Sequence, residues 1–378
     1  MFIPRLAAKY INDHLAKKEP VALIVYGPRQ AGKTTLIERL ISDNKLDVQK
    51  FTGDDLDAQR LLGLHSLENL KKIITPGKII VVDEAQKIDN VGLTFKLLID
   101  NFQSLILTSG SASFDLANKL NEPLTGRSYI FWLYPLSYAE LKEKYNAFTP
   151  ARILSELLIY GSYPKVHILT TLAEKEEYLR NYLNNYLYKD ILSLGQIRKP
   201  KLVLDLLSLL ALQIGQEVKI SELAKTLRVT AATVNSYLEV LEKMFIIFEI
   251  RGFSRNLRKE IAKSSKFYFW DLGLRNALIR NFNSLEVRTD AGQLMENFFI
   301  AEKFKAAENF QRLANFYFWR TYDQQEIDLV EDRGGELLAY EVKFSPSKKH
   351  KAPSAWTKAY PASRVVVVNS ENFVNYLL

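Results

Sequence analysis

Gly27-Pro28-Arg29-Gln30-Ala31-Gly32-Lys33-Thr34-Thr35 has glycines five apart, followed at once by a lysine and a hydroxyl. That spacing suits the binding of a polyphosphate. The glycines let successive backbone N–H groups turn toward one anion, and the helix that follows adds the positive end of its dipole. Lys33 would reach the β- and γ-phosphates of a nucleoside triphosphate, and the Thr34 hydroxyl would ligate Mg²⁺. A second group, Lys78-Ile79-Ile80-Val81-Val82-Asp83-Glu84, runs four aliphatic residues into two carboxylates. Asp83 at the end of such a strand would hold Mg²⁺, directly or through water, and Glu84 would polarise the attacking water.

The elements around these residues are the ones such chemistry needs. Val21 to Tyr26 is a short apolar run that predicts a buried parallel strand, and Thr35 to Ile41 carries apolar residues at helical spacing. Val48 to Thr52 predicts a further strand. Leu105 to Ser111 predicts another, which ends in small polar residues. Thr108 or Ser109 on it could face the γ-phosphate or the water, and an ordinary strand-to-loop turn explains them nearly as well. Arg127, after the Gly126 turn, reads equally as a phosphate-sensing arginine, a finger acting in cis or trans, or a surface cation.

The chain of 378 residues is too long for one ordinary core, so several domains are expected. It contains no cysteine, which removes thiolate ligands, thiol nucleophiles and disulfides and suits a reducing cytoplasm. No apolar run approaches membrane-spanning length, so no membrane association is expected. A net charge of +8 permits contact with nucleic acid and argues for it only weakly, because 43 acidic residues are interspersed.

The stretches GPRQAGKTT, IIVVDEAQ, LTSGSAS, LTGRSYIFWLYPLSYAE, GSYPKV, KFYFWDLGLRN and EIDLV…YEVKFS occur in this order along essentially the whole chain. Together they resemble a prokaryotic family of AAA-type P-loop ATPases of the AAA/STAND-like branch. In that family the ATPase domain precedes a winged helix and a C-terminal domain of unknown function. One departure is that the strand at residues 108–111 reads Thr-Ser-Gly-Ser where the family pattern leads one to expect Thr-Gly-Ser.

The resemblance implies an α/β P-loop NTPase with a parallel sheet over residues 1–135 and a helical lid or linker over 136–199. A winged helix-turn-helix over 200–260 and an α/β restriction-endonuclease-like domain over 261–378 would follow. It also implies an ATP-binding protein; with the residues read above, the expected cofactors are ATP and Mg²⁺ and the expected catalytic group is Lys33, Asp83, Glu84, Ser109 and Arg127.

Ala231 to Leu241, capped by Thr230, stands where a recognition helix would. Thr233, Asn235 and Ser236 on it, with Arg251, Arg255 and Arg258 of a wing, are candidate DNA contacts. Use of the winged helix for packing alone is as well supported, because the helix carries no cation before Lys243.

Farther on, Asp328 and Glu341-Val342-Lys343 reproduce the D…E-x-K pattern of the PD-(D/E)XK nuclease fold. A hairpin through Asp332-Arg333-Gly334-Gly335 would aim both carboxylates at one Mg²⁺, with Lys343 beside the attacking water and Glu296 as an additional ligand. A fold of this kind that binds or packs without cutting is the alternative. A homo-oligomer or a protein partner fits either reading.

Overall fold

The computed structural model describes residues 2–111, 124–145, 149–187, 199–254, 265–347 and 351–377. Two compact units emerge, one of residues 2–135 with 243–245, the other of residues 136–242 with 246–378.

The first unit is built on five parallel strands, β1 (Ala22–Gly27), β2 (Val48–Thr52), β3 (Ile79–Asp83), β4 (Ile106–Ser111) and β5 (Ser128–Trp132), in the order β2-β3-β4-β1-β5. Helices cover both faces, which explains why the central strands are apolar without alternation. Ala22, Ile24 and Tyr26 of β1 pack with Val91, Phe95 and Leu98 in one cluster. Leu23 and Val25 point the other way, onto Ile11, Leu36 and Leu40. β4 lies between the strand that enters the glycine loop and the strand that ends in Asp83. The carboxyl ends of all three therefore open on one crevice.

The second unit holds a seven-stranded sheet of β6 (Glu217–Val218), β7 (Ile247–Gly252), β8 (Ser265–Phe269), β9 (Asn315–Arg320), β10 (Glu326–Arg333), β11 (Glu336–Val342) and β12 (Arg364–Val368). Its order is β12-β11-β10-β9-β7-β8-β6. The helices Ile220–Leu227 and Ala231–Lys243, joined by Arg228, Val229 and Thr230, precede the antiparallel pair β7–β8. Thr230 caps the second of these helices as expected, its hydroxyl accepting from Thr233 N at 3.1 Å. The first begins at Ile220 after Lys219, without a side-chain cap, so Ser221 lies inside it.

No boundary near residue 260 separates two sheets. β7 pairs in parallel with β9, Arg251 opposite Tyr317 and Gly252 opposite Phe318, and the hairpin joins the sheet of the C-terminal strands. Beyond it the chain runs as the helix Ala291–Asn309, the antiparallel strands β9, β10 and β11, the helix Ser354–Ala359 and the parallel strand β12.

Buried polar contacts fix residues 136–187 to this unit. Asp271 Oδ2 accepts from Ser162 N at 2.6 Å, Asn276 donates to the carbonyls of Leu158 and Ile159, and Glu302 accepts from Tyr138 N at 2.6 Å. Unsatisfied groups at this depth would be costly, so these bonds specify the docking. Gly161 is held at φ +75° and ψ −161°, a region open to glycine alone, and a Cβ there would lie 2.3 Å from Asp271 Oδ1. Asp271 has no room to yield, because Leu274 N also donates to it. Gly161→Ala is expected to destabilise the fold by about 2–4 kcal/mol, read from urea denaturation.

Candidate functional site

The glycine loop closes as its residue types require. Gln30 and Gly32 both have positive φ, at 60° and 94°, which turns the intervening amides toward one point and lets the helix Lys33–Asp43 start from a left-handed Gly32. Gly27 is obligatory for a different reason: a Cβ would meet Leu133 O at 2.1 Å. Lys33 is buried, and its amine donates to the carbonyls of Gly27 and Pro28 at 2.9 Å each. It spans the loop it would share with a phosphate. Pro28 and Ala31 are buried, Arg29 and Gln30 half-buried, and Thr34 and Thr35 exposed.

Around Asp83 the groups converge. Thr34 Oγ1 donates to Asp83 Oδ2 at 2.9 Å, and Ser109 Oγ donates to Asp83 Oδ1. Glu84 N donates to Ser109 Oγ at 3.2 Å. Thr108 instead turns its hydroxyl onto Val82 O at 2.7 Å and is fully buried. Ser109 is thus the residue of that strand facing the carboxylates. Glu84 adopts a left-handed conformation, φ 50° and ψ 43°, uncommon for a non-glycine residue and frequent where function demands an awkward backbone.

Three neighbours carry no signal in the sequence pattern. Gln86 Nε2 donates to Glu84 Oε2 at 2.5 Å and to Ser111 Oγ at 2.7 Å, which fixes the Glu84 carboxylate. Gly53 lets β2 approach so closely that a Cβ would stand 2.1 Å from Glu84 O. Arg5, buried, donates to Ala31 O and to Tyr134 O at 2.6 Å each and braces the glycine loop from behind.

Arg127 is not part of this crevice. It immediately precedes β5, whose Ser128 lies opposite Ala22 at the start of β1, whereas the glycine loop follows the end of β1. The run of β1 between them is about 17 Å. Arg127 instead pairs with Asp100 at 2.9 Å, both half-exposed. The phosphate-sensing role within the chain is corrected accordingly, because parallel pairing puts the residue before a strand at the far edge of the sheet.

A second constellation lies in the other unit. Gly334 and Gly335, at φ 63° and 101°, form the two-residue turn between β10 and β11. Leu329 consequently pairs with Tyr340, which sets Asp328 opposite Glu341. Asp328 Oδ2 accepts from Val342 N at 2.7 Å, and Lys343 Nζ lies 2.5 Å from Glu341 Oε1 and 3.9 Å from Asp328 Oδ2. Glu296 joins through Lys266, whose amine is 3.4 Å from Glu296 and 2.5 Å from Glu326. Tyr268 donates to Glu296 at 2.6 Å. Lys266, Tyr268 and Glu326 were not anticipated: the first two sit in an apolar run that reads as plain core.

Burial, with Asp328 opposite, pushes the Glu341 carboxyl up to about 7. Burial likewise raises Glu296 to about 7, against the pull of Lys266 and with the push of Asp328. Asp328 is raised by burial in spite of Lys343 and Lys266. Burial disfavours the charge of Lys343, yet Asp328 and Glu341 outweigh it and raise its pKa. These are carboxylates crowded past the comfort of their lysines, the condition a hard divalent cation would relieve. Among the described residues no three or more His, Cys, Asp or Glu side chains gather as a metal-holding set. A cation here would take Asp328 and Glu341, with carbonyls and water completing its shell.

Of the candidate DNA contacts, Asn235 and Ser236 are exposed, while the Thr233 hydroxyl lies 2.9 Å from that of Thr230 in the helix cap. Arg251 is exposed and paired with Glu249 at 2.9 Å. Arg255 and Arg258 lie outside the described residues. Among the described residues no helix is long and apolar enough to cross a membrane.

Residues 19–142 match the sequence model of an AAA domain, 151–285 a domain of unknown function (DUF8612) and 291–376 another (DUF4143). The chain is similar to an uncharacterized protein of Mycobacterium tuberculosis, 28% identical over 98% of this chain and 81% of the relative. An uncharacterized protein of Methanocaldococcus jannaschii is 24% identical over 92% of this chain and 80% of its own. A solved RuvB mutant of Thermotoga maritima is 17% identical over 64% of this chain and 88% of its own, with a TM-score of 0.35, too loose to bear on function. The AAA match and the parallel sheet with its glycine loop make the amino-terminal unit an AAA-type P-loop nucleotide-binding domain.

Proposed function

We propose that the chain is an ATP-binding protein with Mg²⁺-dependent ATPase activity, acting as a nucleotide switch for a winged-helix and nuclease-like module that works on or near DNA in the cytoplasm. The observation that carries the ATPase reading is the convergence of Thr34, Ser109 and Glu84 on Asp83 beside the glycine loop. These residues fit Mg²⁺–ATP: Thr34 and Asp83 offer oxygen ligands, and Lys33 sits on two carbonyls in place of a phosphate. Bound Mg²⁺ would supply neutralisation of the polyphosphate charge. Lys33 holds the terminal phosphates, Ser109 orients the Asp83 carboxylate, and Glu84, steadied by Gln86, accepts the proton of the attacking water. Calorimetry on the full chain with ATP and Mg²⁺ is expected to show uptake of one nucleotide, and no uptake of any adenine or guanine nucleotide would overturn the reading.

A second reading, an ATP-regulated metal-dependent nuclease, is favoured by one observation: Asp328 and Glu341 face each other across β10 and β11 with Lys343 beside both. The order of helix, three antiparallel strands, helix and parallel strand supports a restriction-endonuclease-like core. Lys343 would orient the attacking water and steady the charge that grows on the phosphate oxygens. A DNA-binding regulator that cuts nothing would instead show salt-sensitive duplex binding with the DNA left whole.

A further inference from the structure

A cavity of about 830 Å³ opens next to the Asp328 and Glu341 constellation, lined among others by Gly215, Lys219, Lys266, Arg320, Tyr322 and Glu326. Its size is that of a ligand pocket. Its link to the carboxylates runs through Lys266 and Glu326, since neither Asp328 nor Glu341 lines it. Lys266 lines it and touches both Glu326 and Glu296, and Glu296 lies against Gly215, where a Cβ would come within 3.2 Å of Oε2. Asp328 is two residues beyond Glu326 on the same strand.

The two acids that line the cavity are already answered by bases. Glu217 is 3.2 Å from Arg320, and Glu326 is held by Lys266 and lies 3.8 Å from Arg320. Lys219, exposed, has no ion-pair partner among the described residues. At the rim, in the turn between β9 and β10, Tyr322 is fully exposed at 107%. An aromatic ring in water on the rim of a concavity that also carries an unanswered lysine is the pairing that stacks on a base while its phosphate is held. A duplex presents no free base face to a concave site, whereas an unpaired strand does.

We propose that this cavity takes an unpaired nucleotide of single-stranded nucleic acid, its base stacked on Tyr322 and its phosphate beside Lys219. This rests on the reading of the C-terminal module as one that handles nucleic acid, and it names the substrate class: single strands, overhangs or frayed ends.

The test is fluorescence anisotropy on the full chain with chelator present, using a labelled oligothymidylate, a blunt duplex of equal length and heparin as a competing polyanion. Single strand is expected to bind at least about tenfold tighter than duplex, and Tyr322→Ala to weaken it about tenfold while duplex binding stays unchanged. Tyr322→Phe should restore it. Equal affinity for both DNAs, full competition by low heparin in wild type and variant alike, or an indifferent Tyr322→Ala would overturn the proposal. Parallel incubation with Mg²⁺ or Mn²⁺ separates it from the cutting reading. Tyr322-dependent single-strand binding without any cleavage keeps the cavity and removes the nuclease. Cleavage of single strands with KM unmoved in Tyr322→Ala removes the cavity and keeps the nuclease.

Discussion

Lys33→Ala is expected to abolish ATP uptake in calorimetry, while Glu84→Gln keeps uptake and lowers turnover by about 10²–10⁴. The two substitutions separate binding from chemistry. Lys33 is buried with its amine on Gly27 O and Pro28 O, so the loop is shaped around a cation even without a ligand. Removing it leaves those carbonyls without their donor and the phosphates without their point charge. Glutamine at 84 preserves the side-chain size and the left-handed backbone, and removes only the capacity to accept a proton. Phosphate release measured at saturating ATP checks the second half. Unchanged release in Glu84→Gln would mean that another group activates the water.

Asp328→Asn is expected to eliminate divalent-metal-dependent cleavage of DNA, a loss of at least about 10² in rate, with nucleotide hydrolysis in the other unit intact. Asparagine keeps the hydrogen bond from Val342 N and the packing of a buried position, so the loss would come from charge and not from collapse. Lys343→Ala should act in the same direction. Supercoiled and single-stranded DNA incubated with Mg²⁺ or Mn²⁺, with and without ATP, gives the readout. If the wild-type protein leaves both intact, the nuclease reading fails and the carboxylates are a remnant or a docking feature.

The amino-terminal site was legible because its chemistry is local. Loop, lysine and hydroxyl lie within nine residues, and Asp83 is delivered by a strand whose apolar run announces it. The opposition of Asp328 and Glu341 was legible for a related reason: Gly334 and Gly335 fix the turn, and the turn fixes the register. Arg127 stayed open between a phosphate sensor and a surface cation because a sequence does not say which end of a sheet a strand enters; pairing with β1 places it away from the crevice. Lys266 and Tyr268 were hidden in Lys266-Phe267-Tyr268-Phe269-Trp270, where every residue has a reason to be core. Their polar ends acquire a role only when Glu296, on a helix remote in sequence, packs beside them. Arg5 and Gly53 act through backbone carbonyls, which no residue-type pattern records.

The parallel seam between β7 and β9 has a mechanical implication. Because β7, β9 and β10 are hydrogen-bonded neighbours in one sheet, the hairpin that follows the helices Ile220–Leu227 and Ala231–Lys243 cannot part from the strand bearing Asp328 without breaking backbone bonds.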